Sequence, residues 1–418
     1  MSLPLPLSLA IAYLVGRRRQ TIISIAGVAM GVGFFIAVSA MMQGFHQYFI
    51  DKIIHVAPHV VMKDEFRTAR IQPVTMQHPN SVVMLSGVKP RDERRGIRGG
   101  ERIAQEIAQI DGVSVSPILS GQVFLRYGGK DVAVNLLGID PVKEAAASNI
   151  QQDMIGGALS NLNTNSNGII IGAGLARNLG AQLGAKLTVV SPQGVTLIMK
   201  VEGITRTGIT ELDYGQAYAL LEKSQILQKR DQRINLIKMR LADVNRATIL
   251  ASALEARYGW RTEGWQETNQ NIFGLFRLQE IIMQTVVGAI LIVAGFGIFN
   301  IITTVIHEKE RDIAILKSIG LSRRDIEAIF VLQGVMVGIA GALLGWALGW
   351  GLMQLLESFP INMTDESFME IEHMMLYRTP RHYIDSGVLA VLAASISAYL
   401  PARRAAQLRP VDIIRSAA

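Results

Sequence analysis

The sequence predicts an α+β membrane protein: four transmembrane helices in a one-plus-three arrangement, with a large folded domain between the first and the second. Three observations carry this. Half of the 418 residues are hydrophobic and only 18% are charged, against about 25% charged in a soluble globular protein. The apolar content gathers in four nearly uncharged runs, which read as membrane spans. The stretch between the first two runs, 44–276, is far too long for a loop and large enough to bury its own core.

Met1–Gly16 is predicted as a short helix at the inner membrane surface, so that 1–20 forms a cytoplasmic amphipathic segment ending in Arg17, Arg18 and Arg19. The first span is 21–43, uncharged from Thr21 to Gln43. It is too long for a signal-peptide core and has no small-residue cleavage site after it. The second span is 277–306, with its apolar centre at Ile281–Ile306. The third is 327–356, uncharged from Ala328 to Leu356, and the fourth is 383–402, with Tyr383 at its outer interface. The loop 307–326 carries Lys309, Arg311, Lys317, Arg323 and Arg324, and the tail 403–418 carries Arg403, Arg404, Arg409 and Arg415. The opposing loop, 357–382, is acidic overall. Basic residues mark cytoplasmic loops, so the loop, the tail and the N-terminus are placed inside. The net charge of +7 is then topological and does not point to nucleic acid.

Gly334 and Gly338, and then Gly341, Gly345 and Gly349, recur every four residues in the third span, and Gly27 and Gly31 do so in the first. Such spacing lets a neighbouring backbone approach closely. It reads as packing within the bundle or, for Gly27 and Gly31, as part of a dimer seam. The spans carry no mid-membrane charge that could serve a proton or ion relay.

The domain reads as two β-α-β halves. The first is His59–Lys63, helix Glu101–Ile110 and strand Val113–Leu119. The second is strand Ile234–Leu241, helix Arg246–Tyr258 and strand Arg261–Trp265. A β-rich insertion, about 121–228, separates them, with alternating strands at Gln122–Tyr127, Val132–Gly138, Leu187–Ser191 and Leu197–Ile204. Lys89–Arg102 and Ser160–Gly168 read as exposed loops.

The catalytic motifs fail one by one. Gly168–Arg177, GIIIGAGLAR, resembles a dinucleotide fingerprint, but Arg177 stands where the third Gly belongs, and the segment reads as a strand-to-helix turn. The chain has no GxxxxGK[ST], HExxH or GxSxG. It has no cysteine, which excludes disulfides, thiolate metal sites and Cys nucleophiles. No catalytic residue, metal site or bound cofactor is predicted, and the chain is read as not itself an enzyme.

Between the second and third spans, Glu308, Lys309, Glu310, Arg311 and Asp312 start a charged helix. Ile313, Ala314, Ile315, Leu316 and Ile319 give it an apolar face, Lys317 lies in its last turn and Gly320 ends it. Ser322 is placed as the N-cap of the next helix. A short amphipathic helix at this position reads as an interfacial anchor or as a docking peg for a cytoplasmic partner.

At these residues the chain resembles a known family. ERDIAILKSIGLSRRDI is similar to the coupling segment of the MacB/FtsX-like (type VII) ABC transporter permeases, and so is the C-terminal YLPARRAAQLRPVDIIRSA. The start, IAYLVGRRRQTIISIAGVAMGVGFFIAVSAMMQGFHQYFIDKIIHVAPHVVM, resembles the lipoprotein-releasing LolC/LolE branch. The resemblance implies a bacterial inner-membrane protein with both termini cytoplasmic. Its large domain would be periplasmic, with porter-like halves and a Sabre-like insertion. A separate cytoplasmic ABC ATPase dimer would hold ATP and Mg and bind Glu308, Lys309, Glu310, Arg311, Ile313, Ala314, Leu316, Lys317 and Gly320. A second permease copy, identical or not, would complete the complex, and ATP closure would move the periplasmic domains by mechanotransmission. The expected activity is extraction or export of a lipoprotein, lipid or other hydrophobic substrate from the membrane, with a periplasmic carrier or adaptor as a further partner. Transmembrane regulation of a periplasmic enzyme and a tripartite efflux pump are the alternatives. Where LolC-like proteins carry a hook that grips a carrier, this chain has Ser191-Pro192-Gln193-Gly194-Val195, a tight hairpin without room for one.

Overall fold

The computed structural model describes residues 5–67, 96–363, 371–373 and 375–408. Half of the expected Lys89–Arg102 loop, residues 89–95, together with Arg409 and Arg415 of the tail, lies outside them. The chain forms two compact units. One comprises Met1–Tyr48, Gly274–Ile361 and His373–Ala418; the other comprises Phe49–Phe273 and Asn362–Glu372.

Helix α1 (Leu5–Gly16) meets α2 (Arg18–Val56) at a turn on Arg17. With 39 residues, α2 is about 58 Å long, roughly twice the hydrocarbon thickness of a bilayer. The predicted span 21–43 is therefore only part of it. The helix continues because the residues beyond Gln43 keep a helical repeat: Phe49 and Ile53, four apart, are both buried, while Asp51 is exposed.

In the second unit β1 (Val60–Lys63), α3 (Gly100–Ile107) and β2 (Val113–Tyr127) come first. Then follow β3 (Lys130–Ile139), α4 (Pro141–Ala147), β4 (Met154–Gly157), α5 (Asn161–Thr164), β5 (Gly168–Gly172), α6 (Ala173–Leu179), β6 (Lys186–Val190), β7 (Thr196–Thr205), α7 (Thr210–Gly215), β8 (Gln216–Leu220) and α8 (Leu221–Gln228). The run closes with β9 (Leu236–Leu241), α9 (Ala247–Tyr258), β10 (Thr262–Gly264) and α10 (Trp265–Thr268).

The outer strands pair in the order β10-β1-β9-β2, every neighbour antiparallel. The β1-α3-β2 and β9-α9-β10 halves thus interleave as a split β-α-β sheet. Strand β2 belongs to two sheets. Its first half, Val113–Ile118, pairs with β9, and its second half, Leu119–Tyr127, pairs with β3. From there the pairing runs β2-β3-β8-β5-β7-β6 and returns to β2, closing a barrel, with β4 added outside β7. Each barrel strand sends alternate residues inward, as the period of two requires. The pairs are Val123/Leu125, Val134/Leu136, Ala217/Ala219, Ile169/Ile171, Met199/Val201 and Leu187/Val189, all buried in one cluster. The barrel interior is therefore filled by these apolar side chains.

Two local expectations change. The strand Arg261–Trp265 is shorter, Thr262–Gly264, because Trp265 opens α10 and buries its ring. The expected loop Ser160–Gly168 contains α5, held down by the fully buried Leu162. Gly168–Arg177 is β5 turning into α6 at the extended Gly172. The Ser191–Val195 turn is closed by Ser191 N–H donating to the Val195 carbonyl at 2.9 Å and Gly194 N–H to that of Ser191 at 3.0 Å.

The chain continues with α11 (Gln270–Glu308), α12 (Glu310–Ser318), α13 (Arg323–Glu357), the short strands β11 (Pro360–Met363) and β12 (Ile371–His373), and α14 (Pro380–Gln407). Among the described residues four helices, α2, α11, α13 and α14, are long and apolar enough to cross a membrane. The third-span glycines divide between two neighbours. A methyl on Gly334 or Gly338 would strike the α14 ladder at Ala394 and Ala398 or Val391, and one on Gly341, Gly345 or Gly349 would strike Val28, Val32 or Ile36 of α2. Gly31 lies against Ile290 of α11, whereas Gly27 faces open space. Within its most apolar window α11 is 22% buried, against 50% for α13.

Candidate functional site

The site with most built structure lies at α12 and the turns around it. Glu310 and Asp312 in the first turn and Lys317 in the last match the helix dipole. The helix ends in a Schellman motif: Leu321 N–H donates to the Leu316 carbonyl and Gly320 N–H to that of Lys317. This needs a left-handed residue after the cap, and Gly320, at φ 110°, supplies it. Two residues on, Ser322 and Asp325 cap α13 reciprocally: Ser322 N–H donates to Asp325 Oδ2 at 2.9 Å, and Asp325 N–H to Ser322 Oγ at 3.2 Å. The orientation of α12 is thus set at both ends of a short turn.

Its two faces do different things. Ile313 and Ala314 are buried against the helix bundle, with Leu316 and Leu321 packed beside them. Lys317 lies on this inner side, its ammonium donating to the carbonyls of Ala406 at 2.9 Å and Leu408 at 2.5 Å, so it caps the end of α14. Burial, and then the nearby Arg323, push its pKa down. Glu308 pairs with Arg17, Lys309 with Asp312 at 2.8 Å, and Glu310 with His307 at 2.8 Å. Tyr13 of α1 stacks on Phe330 and lies under the Lys309 ammonium.

Of the predicted docking residues, then, Ile313, Ala314 and Lys317 are built into the bundle, and Glu308, Lys309 and Glu310 are in ion pairs. Arg311 and Gly320 are exposed. The outer face carries residues outside the predicted set: Ile315 and Ile319, 47% and 75% exposed, followed by exposed Arg323 and Arg324. The single apolar face drawn through Ile313, Ala314, Ile315, Leu316 and Ile319 is in fact two. At 100° per residue Ile315 and Ile319 fall beside Arg311, on the side opposite Ile313 and Lys317. That spacing was the available signal. The outer face is a small apolar stripe bordered by arginines, a shape suited to a groove with acidic walls.

A second constellation fastens the last turn of α2 within the other unit. Asn149 Nδ2 donates to the His55 carbonyl at 2.8 Å and lies 3.0 Å from His55 Nδ1. Its Oδ1 accepts from Arg240 of β9 at 2.5 Å. His55 Nε2 is 3.4 Å from Asp153 Oδ1. Burial raises the Asp153 pKa, and His55 partly offsets this. No cluster of three or more His, Asp or Glu with metal-binding geometry occurs among the described residues.

Long apolar helices, a capped helix between two of them and a large domain inserted after the first define a membrane protein with a large inserted domain. Two family models match: the MacB-like periplasmic core domain over residues 21–257 and the FtsX-like permease C-terminal domain over residues 285–410. The chain belongs to the MacB/FtsX-like family of ABC transporter permeases. Among curated relatives it is 27% identical over 440 residues to the lipoprotein-releasing system transmembrane protein LolC of Neisseria meningitidis serogroup B, covering 97% of this chain and 98% of that protein. It is 24% identical over 450 residues to LolE of Haemophilus influenzae. It is also 22% identical to the macrolide export ATP-binding/permease protein MacB of Hyphomonas neptunium, covering 95% of this chain but 58% of that longer protein. Among solved structures, the periplasmic region of MacB from Actinobacillus actinomycetemcomitans aligns over 54% of this chain and 97% of its own, at TM-score 0.34 and 14% identity. That likeness is too low to carry the fold by itself.

Proposed function

We propose that this chain is the permease subunit of a lipoprotein-releasing type of ABC complex in a bacterial inner membrane. The observation that carries the reading is similarity to LolC over nearly the full length of both chains. In this account both termini and α12 are cytoplasmic. The split sheet and the barrel are the periplasmic porter-like and Sabre-like parts. A separate ATPase dimer holds ATP and Mg and receives the Arg311–Ile315–Ile319 stripe, with Arg323 and Arg324 against its acidic rim.

Two permease chains assemble around the open Gly27 side of α2 and the exposed α11. Closure of the ATPases then moves the periplasmic parts by mechanotransmission. Support for this comes from the unbroken 39-residue courses of α2 and α11 and from the Asn149 anchor on the last turn of α2. The substrate is a lipoprotein or another lipid-linked molecule taken from the membrane. The tight Ser191–Val195 hairpin disfavours carrier capture by a hook at this position.

The test is reconstitution of the chain with its ATPase in proteoliposomes loaded with a lipoprotein. ATP-dependent release is expected. Activation of a soluble periplasmic hydrolase with no release would replace this reading with a regulatory one, and a requirement for a co-purifying adaptor would replace it with an efflux pump.

A further inference from the structure

Where α1, α2, α11 and α13 converge there is a small cavity of about 20 Å³, lined on its polar side by Tyr13, Arg17, Thr21, Ser24 and Gln333 and elsewhere by aliphatic residues of α1, α11 and α13, Ile302 and Val337 among them. Ser24 and Gln333 are 8% and 3% exposed. Ser24 Oγ and Gln333 Nε2 have no hydrogen-bond partner among the described residues. Thr21 Oγ1 donates to the Leu14 carbonyl at 2.9 Å, which leaves its lone pairs able to accept.

A buried polar atom without a partner costs about 1–3 kcal/mol. Two such atoms lining one cavity point to a shared ligand. The volume decides its size: a single water needs about 10–15 Å³ by this kind of measure, and it makes about three hydrogen bonds.

We infer that one bound water occupies this cavity and bridges α2 to α13. It accepts from the Gln333 amide, exchanges a hydrogen bond with the Ser24 hydroxyl and donates to Thr21 Oγ1. The α1–α2 turn, the first span and the third span are thereby joined by a polar contact within an otherwise apolar bundle. The inference stands apart from the proposed transport function.

X-ray radiolytic footprinting of the full-length chain in nanodiscs tests it, because hydroxyl radicals form at bound waters. Oxidation is expected at Ile302 and Val337, above that at Ile36, which is fully buried away from the cavity. It should fall to the Ile36 level in the S24A/Q333M double variant. Labelling no greater than at Ile36 in the wild type, or unchanged in the double variant, overturns the inference. Should the double variant fail to fold, the wild-type labelling decides alone. A double-mutant cycle by SDS unfolding gives a second reading. Each single substitution is expected to lower the folded-to-unfolded ratio about threefold to tenfold, and the double to lower it no further than the worse single. Additive losses would contradict a shared water.

Discussion

Gly345→Ala tests the packing of α13 against α2 at its tightest glycine. A methyl at this position would lie 2.5 Å from Val32 Cβ, 2.6 Å from Val32 Cγ1 and 2.9 Å from the Ala29 carbonyl oxygen. Carbon atoms pack best at about 3.5–4.0 Å, so α2 and α13 must part by roughly 1 Å. No rotamer relieves the clash, because its partners are a Cβ and main chain. Overpacking of this kind costs about 1–3 kcal/mol, a fall of roughly 5- to 150-fold in the folded-to-unfolded ratio. Gly351→Ala, in the same helix with nothing within 4 Å, is the control. It should be neutral or gain about 0.5–1 kcal/mol from better helix propensity. Reversible SDS unfolding of the full chain in mixed micelles reads both. Val32→Ala should give no rescue, since the Cβ at 2.5 Å remains, whereas Val32→Gly should relieve the clash in part, leaving the Ala29 carbonyl oxygen at 2.9 Å. If G345A is no more disruptive than G351A, or if V32A rescues it, the close approach of these helices is wrong.

The other predictions are independent of that one. Lys317→Met should loosen the end of α14, seen as faster amide exchange at 403–408, while Ile319→Ser, at an exposed position, should leave exchange and stability within about 0.5 kcal/mol of wild type. Asn149→Ala should leave ATP hydrolysis by the reconstituted complex intact and reduce substrate release several-fold, because the last turn of α2 loses its link to Arg240. Burial pushes the Glu263 pKa up, but Lys63 and Arg261, at 2.6 Å and 2.5 Å, more than offset this and hold it below the usual carboxylate value. Its stabilising contribution is therefore complete above the unfolded value of 4.5 and lost as pH falls through the lower folded value. Glu263→Gln should flatten that acid limb and cost about 1–3 kcal/mol at neutral pH, less than a fully buried pair would, because Lys63 and Arg261 are partly exposed. In the barrel, Leu125→Ala should cost about 2–5 kcal/mol, and the outward-facing Phe124→Ala less than about 1 kcal/mol.

The spans were legible because water and hydrocarbon select composition so strongly: Thr21–Gln43 and Ala328–Leu356 carry no charge at all. Their helical ends were not, since α2 passes from lipid-like to mixed composition without breaking its repeat, and composition marks the membrane rather than the helix. The β-α-β halves showed in local alternation and in Ile103 and Ile107. Closure of the barrel did not, because it depends on β6 meeting β2, Val190 opposite Phe124, a pairing between distant residues. At α12 the caps were readable in Gly320 and Ser322. The division of its isoleucines into inner and outer faces showed only in their 100° spacing, because apolar residues occur on both sides and what covers one of them, α14 with its carbonyls on Lys317, lies far along the chain.

The central claim is that a separate ATPase receives the outer face of α12. The chain has no cysteine, so single cysteines can be placed without background. Cysteines replacing Arg311, Ile315, Ile319 and, as the buried control, Ile313 would be cross-linked in membranes containing the co-expressed ATPase. Cross-links to the ATPase at 311, 315 and 319 and none at 313 are the predicted result. Absence of cross-linking at the three outer positions, with the ATPase still co-purifying, would contradict the account.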